Sequence, residues 1–183
     1  MMAAGSSPVS LKVDVSRLPA KGVTVKLEAD ADQRAALCAE HGLEAVDAFS
    51  FELLVAPWKR DGARVTGKVI AKITQACVVT LDPVESMIDE DVSAVFVPED
   101  SRLAPVFAPD GELHLDAEGE DTPETFSGNR IDAGALAEEY FALAIDPYPR
   151  REGVELPDAA SDQELGKSPE PPFAKLRSLV RKP

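Results

Sequence analysis

The chain has 183 residues, of which 33 are acidic and 19 basic, so its net charge is −14. This length is typical of one globular domain, and the acidic balance excludes a protein that coats nucleic-acid phosphates through clustered cations. The two cysteines, Cys38 and Cys77, are too few for a disulfide framework or a four-cysteine zinc site. Because no signal peptide or run of roughly 20 apolar residues is found, we expect a cytoplasmic protein.

The N-terminal region predicts two strands and a helix. Residues 11–15 and 23–27 alternate apolar and polar side chains, which indicates strands with one buried face. Lys21 and Gly22 form a turn between them. Asp30 and Gln33 have the spacing of a capping box and predict the start of a helix, which Gly42 then ends.

The central region predicts an antiparallel meander. Residues 49–55 and 65–73 alternate with a period of two around the turn dipeptide Asp61-Gly62, which is typical of a hairpin. We expect a third strand at residues 77–81 and a fourth at residues 87–96. The predicted fold class is α+β: an antiparallel β-sheet meander curled toward a partial barrel, with flanking helices and an extended basic C-terminal tail.

An acidic stretch and a second helix follow. Residues 82–124 carry 14 acidic side chains and one basic side chain. The composition of their later part, at about residues 108–127, predicts a mobile loop. We expect this loop to lie within a single domain of residues 1–149. Asp132 is the expected N-cap of the second helix, and Ile131 is expected to pack on Leu136. The spacing predicts one apolar face, formed by Leu136, Tyr140, Leu143 and Ala144.

The C-terminal residues divide into a linker and a tail. Residues 150–172 are polar and contain four prolines, which indicates a linker, and residues 173–183 form a short basic amphipathic tail. The tail supplies most of the candidate contacts with a partner or RNA: Phe173, Lys175, Leu176, Arg177, Arg181 and Lys182. Docking of this tail on its own sheet and docking on a partner remain equal alternatives.

A row of cations lies on the polar face of the predicted hairpin. The row contains Arg60, Arg64, Lys68 and Lys72. These side chains can contact phosphate, or they can pair across strands with Glu85, Asp89 and Asp91. We favour pairing, because the acidic strand supplies nearer anions than RNA does. Arg64, Lys68 and Lys72 stay candidate contacts for a partner or RNA.

Enzyme motifs are absent from the sequence. There is no phosphate-binding P-loop, no dinucleotide-binding glycine motif, no nucleophile elbow and no paired-histidine zinc motif. Cys38 and His41 lie one helical turn apart, but a zinc site needs at least three protein ligands. We therefore expect no cofactor, no metal and no small-molecule substrate.

Three segments carry motifs in a fixed order. The first spans residues 65–84 and ends in Cys77-Val-Val-Thr80-Leu81-Asp-Pro83; the second begins with Ile131-Asp132 and ends at Pro149; the third is Pro172-Phe173-Ala174-Lys-Leu176 with Leu179. Together they resemble the large ribosomal RNA subunit accumulation proteins, the YceD family of bacteria and plastids. The resemblance implies structural roles for eight matching residues: Cys77, Leu81, Pro83, Ile131, Asp132, Glu139, Leu143 and Pro149.

The sequence departs from that family at one element. Many members carry two cysteines in the first segment and further Cys or His residues after the second, an arrangement that resembles a metal clip. Here Thr80 stands at the second cysteine position, and Arg150 and Arg151 follow Pro149. The chain therefore resembles a metal-free branch, in which burial of Cys77 is expected to hold the turn.

The resemblance implies a non-enzymatic role in the accumulation of 23S ribosomal RNA, through its synthesis, processing or stability. The expected partner is a ribosomal protein, an rRNA-processing factor or a pre-50S particle, with weak direct RNA contact and no membrane. One alternative is an RNA-binding module that uses Arg64, Lys68, Lys72 and the tail. A remote alternative is a metal-dependent RNA hydrolase at Asp89 and Asp91, for which no base or nucleophile converges in the sequence.

Overall fold

The computed structural model describes residues 7–104 and 122–154. These residues form seven strands and two helices, all within the compact unit Met1–Arg151. The elements in chain order are β1 (Lys12–Asp14), β2 (Val23–Glu28), α1 (Ala31–His41), β3 (Ala45–Trp58), β4 (Gly62–Ala76), β5 (Pro83–Pro98), β6 (Glu124–Phe126), β7 (Arg130–Asp132) and α2 (Ala133–Ala144).

The main sheet has five strands in the order β2-β3-β4-β5-β6. Neighbouring strands are antiparallel except β5 and β6, which run parallel from Phe96 to Pro98 on β5. The sheet is open, because β2 and β6 lie at opposite edges. The α+β class is confirmed, with the predicted hairpin of β3 and β4 at its centre.

The predicted third strand, at residues 77–81, is wrong. These residues form the turn between β4 and β5, in which Leu81 adopts a left-handed φ of 63°. The amide of Cys77 donates to the carbonyl oxygen of Asp82 at 2.8 Å, and the amide of Leu81 donates to the carbonyl oxygen of Cys77 at 2.9 Å. The run resembles a strand in its apolar composition. The left-handed backbone of Leu81, two residues before Pro83, instead reverses the direction of the chain.

A second, smaller sheet pairs β1 with β7. Val13 lies opposite Ile131, and both side chains are buried. The two strands predicted on either side of Gly22 therefore belong to different sheets. Strand β6 lies within the stretch of about residues 108–127 for which the sequence predicts a mobile loop. Residues 105–121, which include the rest of that stretch up to residue 121, lie outside the described residues, as does the chain beyond residue 154.

Both helices start and end as their caps predict. The side chain of Asp30 accepts from the amide of Gln33, the Gln33 side chain accepts from the amide of Asp30, and Gly42 adopts a left-handed φ of 64°. In α2, the side chain of Asp132 accepts from the amides of Gly134 and Ala135. No helix in the described ranges is both long and apolar enough to cross a membrane.

The predicted apolar face of α2 is partly wrong. Leu136 is buried, but Leu143 is 78% exposed, whereas Phe141 is fully buried. The helix packs on β4 and β5, and Phe141 meets Phe49 edge to face, with ring centroids 5.3 Å apart. This contact rotates Leu143 to the solvent side, because two residues differ in direction by about 200° around a helix.

The core lies between the helices and one face of the sheet. Alternate residues on β3 and β4 point into it, including Phe49, Leu53 and Val69, each 1% exposed or less. Leu37 of α1 belongs to the same cluster. Full burial of each such side chain contributes about 1.5–3 kcal/mol. The opposite face of the sheet, hereafter the outer face, carries the polar side chains of these strands.

Candidate functional site

Two cations of β4 on the outer face, Lys68 and Lys72, are held by carboxylates. The Nζ atom of Lys68 lies 2.7 Å from Oδ1 of Asp89 and 3.5 Å from Oδ1 of Asp91. The Nζ atom of Lys72 lies 2.8 Å from Oε2 of Glu85. The hydrogen bond and charge of Asp89 raise the pKa of Lys68, and those of Glu85 raise the pKa of Lys72. Cross-strand pairing is confirmed for both lysines.

The charges alternate in sign across four strands. Lys26 of β2 lies 2.7 Å from Glu52 of β3, which is the cross-strand partner of Lys68. This ladder neutralises the middle of the outer face and leaves little net positive charge for phosphate. Arg64 is exposed, and no carboxylate in residues 7–104 and 122–154 pairs with it. Arg60 lies in the turn between β3 and β4 rather than on the strand.

The outer face is concave between β2 and β4. A groove of about 640 Å³ has Leu54 and Ile70, which are 37% and 42% exposed, among its apolar lining residues. Gly67 lies in the groove where β3 and β4 approach closely, because a Cβ atom there would be 2.1 Å from the carbonyl oxygen of Glu52. Apolar side chains and charged side chains of both signs line the groove together, the latter including Lys26, Glu52 and Lys68.

The first two family segments meet at the turn between β4 and β5. The amide of Val78 donates to the carbonyl oxygen of Pro149 at 2.9 Å, and the amide of Arg151 donates to Sγ of Cys77 at 3.5 Å. The guanidinium of Arg151 lies 3.1 Å from Oδ2 of Asp82. Cys77 is fully buried, as expected. We call this contact between residues 77–82 and 146–151 the clip.

The clip stabilises the thiolate form of Cys77. Hydrogen bonds from the side chain of Thr80 and then from the backbone amides of Arg151, Thr80 and Val79 lower the pKa of this thiol to about 6, although burial acts in the opposite direction. One thiol and one hydroxyl do not make a zinc ligand set. The residues at the clip therefore do not fit a metal, and no group of three His, Cys, Asp or Glu suited to one occurs in the described residues.

Asp132 ties the N-terminal segment to α2. Besides capping the helix, its carboxylate accepts from the hydroxyl of Ser10 and, at 2.9 Å, from the amide of Leu11. Burial raises the pKa of this carboxyl, but the four hydrogen bonds outweigh burial and lower it below the usual value. Ile131 is buried beside it, whereas Glu139 and Leu143 are exposed on α2 and Leu81 is 76% exposed in the turn.

Sequence reasoning missed two contacts of the helices. Nε2 of His41 lies 3.1 Å from Oε1 of Glu138, whose residue is only 8% exposed, so a polar pair joins α1 to α2 inside the core. The hydroxyl of Tyr140 donates to the carbonyl oxygen of Ser93 at 2.6 Å and accepts from its amide at 3.3 Å. The predicted apolar face places Glu138 about 200° around the helix from Leu136, on the polar side, so local periodicity carried no signal of the first contact.

A family comparison agrees with the motifs. The family model "Large ribosomal RNA subunit accumulation protein YceD" matches residues 65–180, more than half of the chain. The chain belongs to the YceD family. No curated protein and no solved structure gives a significant match.

The match places the described features inside the YceD region. The clip, the acidic strand β5 and helix α2 all fall within residues 65–180, whereas β1, β2, α1 and β3 precede the matched region. The YceD description names a role in the accumulation of large-subunit ribosomal RNA and names no catalytic activity. The candidate tail contacts from Phe173 to Lys182 lie outside the described residues.

Proposed function

We propose that this protein is a non-enzymatic cytoplasmic assembly factor that supports accumulation of 23S ribosomal RNA and of the large ribosomal subunit. The observation that carries the proposal is the family match over residues 65–180. Accumulation depends on synthesis, processing or stability of the RNA, and a factor that binds an assembling particle acts on the last two.

The charge of the molecule supports binding to a basic component of that particle. With a net charge of −14, the chain is attracted to ribosomal proteins and repelled by RNA phosphates. Strand β5 carries Glu85, Asp89 and Asp91, whose side chains are 66%, 61% and 84% exposed. Such charge complementarity gives fast, salt-sensitive association.

Direct RNA contact through Lys68 and Lys72 of β4 is disfavoured. Releasing Lys68 or Lys72 to a phosphate requires breaking an ion pair of 2.7 or 2.8 Å. Arg64 and the tail residues Phe173, Lys175, Leu176, Arg177, Arg181 and Lys182 are the proposed contacts with the particle. The set contains five cationic residues and two apolar ones, Phe173 and Leu176, a composition that suits a composite surface of protein and RNA.

The test is the ratio of 23S to 16S ribosomal RNA, with a subunit sedimentation profile, in cells depleted of the protein and in cells restored with it. We expect a selective fall of 23S RNA and of large subunits on depletion, and recovery on restoration. Restoration with the K68Q/K72Q double variant is the matched control and should succeed. An unchanged ratio in depleted cells refutes the proposal.

A further inference from the structure

Among residues 7–104 and 122–154, one backbone edge of strand β5 is unpaired over most of its length. On one side it pairs with β4 from Pro83 to Phe96, whereas on the other side β6 covers only Phe96 to Pro98. Within the described chain, no strand pairs with residues 84–92 on that second side. At roughly 3.3 Å per residue, this edge is about 30 Å long.

Tyr140 shows which backbone groups point to the open side. Both backbone groups of Ser93 bond the hydroxyl of this tyrosine rather than β4. In an antiparallel strand, the N–H and C=O of every second residue point the same way. The backbone groups of Asp91, Asp89, Met87 and Glu85 therefore point away from β4 as well, and Tyr140 ends the series.

The side chains of the same four residues lie on the outer face and are exposed. Met87 is 67% exposed, and the side chains of Asp89 and Asp91 are 61% and 84% exposed. Strand β4 already shows how a basic strand fits here, since Lys68 and Lys72, four residues apart, reach these carboxylates from the other side. A strand on the open side with alternating cations meets the same carboxylates.

We propose that the open edge of β5 binds an extended, lysine- and arginine-rich segment of another protein as a sixth strand of the sheet. Backbone hydrogen bonds supply affinity, and carboxylates on alternate residues select cationic side chains. The choice of partner class rests on the proposed function, because basic extended segments suit a component of a ribosomal particle. Binding of a basic peptide to the edge can be tested whether or not that function is correct.

A second copy of the chain fits the edge less well, and the test distinguishes the chain's own tail from a partner. A second copy pairing β5 with β5 brings Asp89, Glu90 and Asp91 close to their own copies, and like charges opposed across strands are destabilising. The acidic residues also protect the edge from indiscriminate pairing. The basic tail of the same chain has a suitable charge, and occupancy by the tail is one outcome that the test detects.

The test uses the full-length chain and a labelled peptide of alternating Lys and Thr. Binding is followed by fluorescence anisotropy, and amide hydrogen exchange is measured with and without the peptide. We expect the amides of Glu85, Met87, Asp89 and Asp91 to exchange quickly in the free protein and to be protected by the peptide. A peptide of the same charge with alternate amides N-methylated should bind about tenfold or more weakly, because it loses backbone hydrogen bonds.

The variant M87P removes one outward amide from an edge position where proline is tolerated. It should weaken peptide binding about tenfold, and E28Q on the opposite edge strand should not. Equal binding to M87P, or equal binding of the methylated peptide, overturns the proposal. Slow exchange of these β5 amides in the free protein also overturns the proposal. It means that the tail already occupies the edge, or that a second copy does if the protection rises with protein concentration. A negative result in this binding test does not bear on the proposed function, which the 23S RNA ratio in depleted cells tests separately.

Discussion

The amide nitrogen of Arg151 lies 3.5 Å from the sulfur of Cys77, a residue 74 positions earlier in the chain. This hydrogen bond joins the segment after α2 to the turn between β4 and β5. In this chain, hydrogen bonds and one ion pair join the two segments. The thiolate of Cys77 accepts hydrogen bonds from protein N–H groups, which favours its charged form.

The first prediction concerns pH. Folding lowers the pKa of Cys77 from an ordinary value of 9.0 to about 6, so the unfolded chain binds more protons between these values. The free energy of unfolding should rise from pH 6 to pH 9, and this contribution should be lost as pH falls through 6. Urea denaturation at several pH values measures the rise. C77S should lose it and C38S should keep it; an equal rise in C77S contradicts the prediction.

The second prediction concerns Asp132. D132A removes the N-cap and the links to Ser10 and Leu11, and it should destabilise the fold by about 2 kcal/mol or more. The control D30A removes a cap that has no comparable long-range link and should cost about 1 kcal/mol. Thermal and urea unfolding give both values. Equal effects of the two variants would show that the N-terminal link adds no stability.

The third prediction concerns Gly134. Alanine is usually favoured over glycine in a helix by about 1 kcal/mol, but a Cβ atom here would lie 1.8 Å from the carbonyl oxygen of Val9. G134A should therefore destabilise the protein and release the N-terminal segment. Urea denaturation and limited proteolysis near residue 9 measure the two effects. G128A meets no atom within 4 Å, so any destabilisation there comes from its left-handed φ of 78° and not from a clash, and the N-terminal segment should stay protected from proteolysis; a stabilised G134A would contradict the close approach.

The fourth prediction concerns the polar pair between the helices. H41A leaves the carboxylate of Glu138 buried without its partner and should cost about 1–3 kcal/mol. The double variant H41A/E138L should be less destabilised than H41A, because it leaves no buried charge unpaired. Chemical denaturation of both variants decides this. A double variant less stable than H41A would contradict the prediction, because both variants equally lose the ring contact of His41 with Phe141, whose centroids lie 5.4 Å apart.

The fifth prediction concerns RNA. The K68Q/K72Q double variant should leave any affinity for a ribosomal RNA fragment unchanged, because both cations are held by carboxylates. R64Q is the comparison, since this cation is exposed on the same strand. Fluorescence anisotropy over a range of salt concentrations measures affinity. A fall in the salt slope by about 1–2 units in the double variant would show contact with phosphates.

Local signals in the sequence determined the caps, the central hairpin and the family. Asp30 with Gln33, Asp132 before α2 and the alternation around Asp61-Gly62 act over a few residues, so their physics is complete in the sequence. The ordered motifs around Cys77, Ile131 and Pro172 are likewise legible without coordinates, and the match over residues 65–180 confirms what they indicate.

Only the tertiary structure decided the features that depend on contacts between residues distant in sequence. Composition made residues 77–81 resemble a strand, but the left-handed Leu81 and the pairing of β4 directly with β5 made them a turn. Helical spacing placed Leu143 on the buried face, but packing of Phe141 on Phe49 fixed the rotation of α2. The open edge of β5 also depends on which strands meet. Burial and strand order depend on contacts between residues distant in sequence, and local periodicity does not determine those contacts.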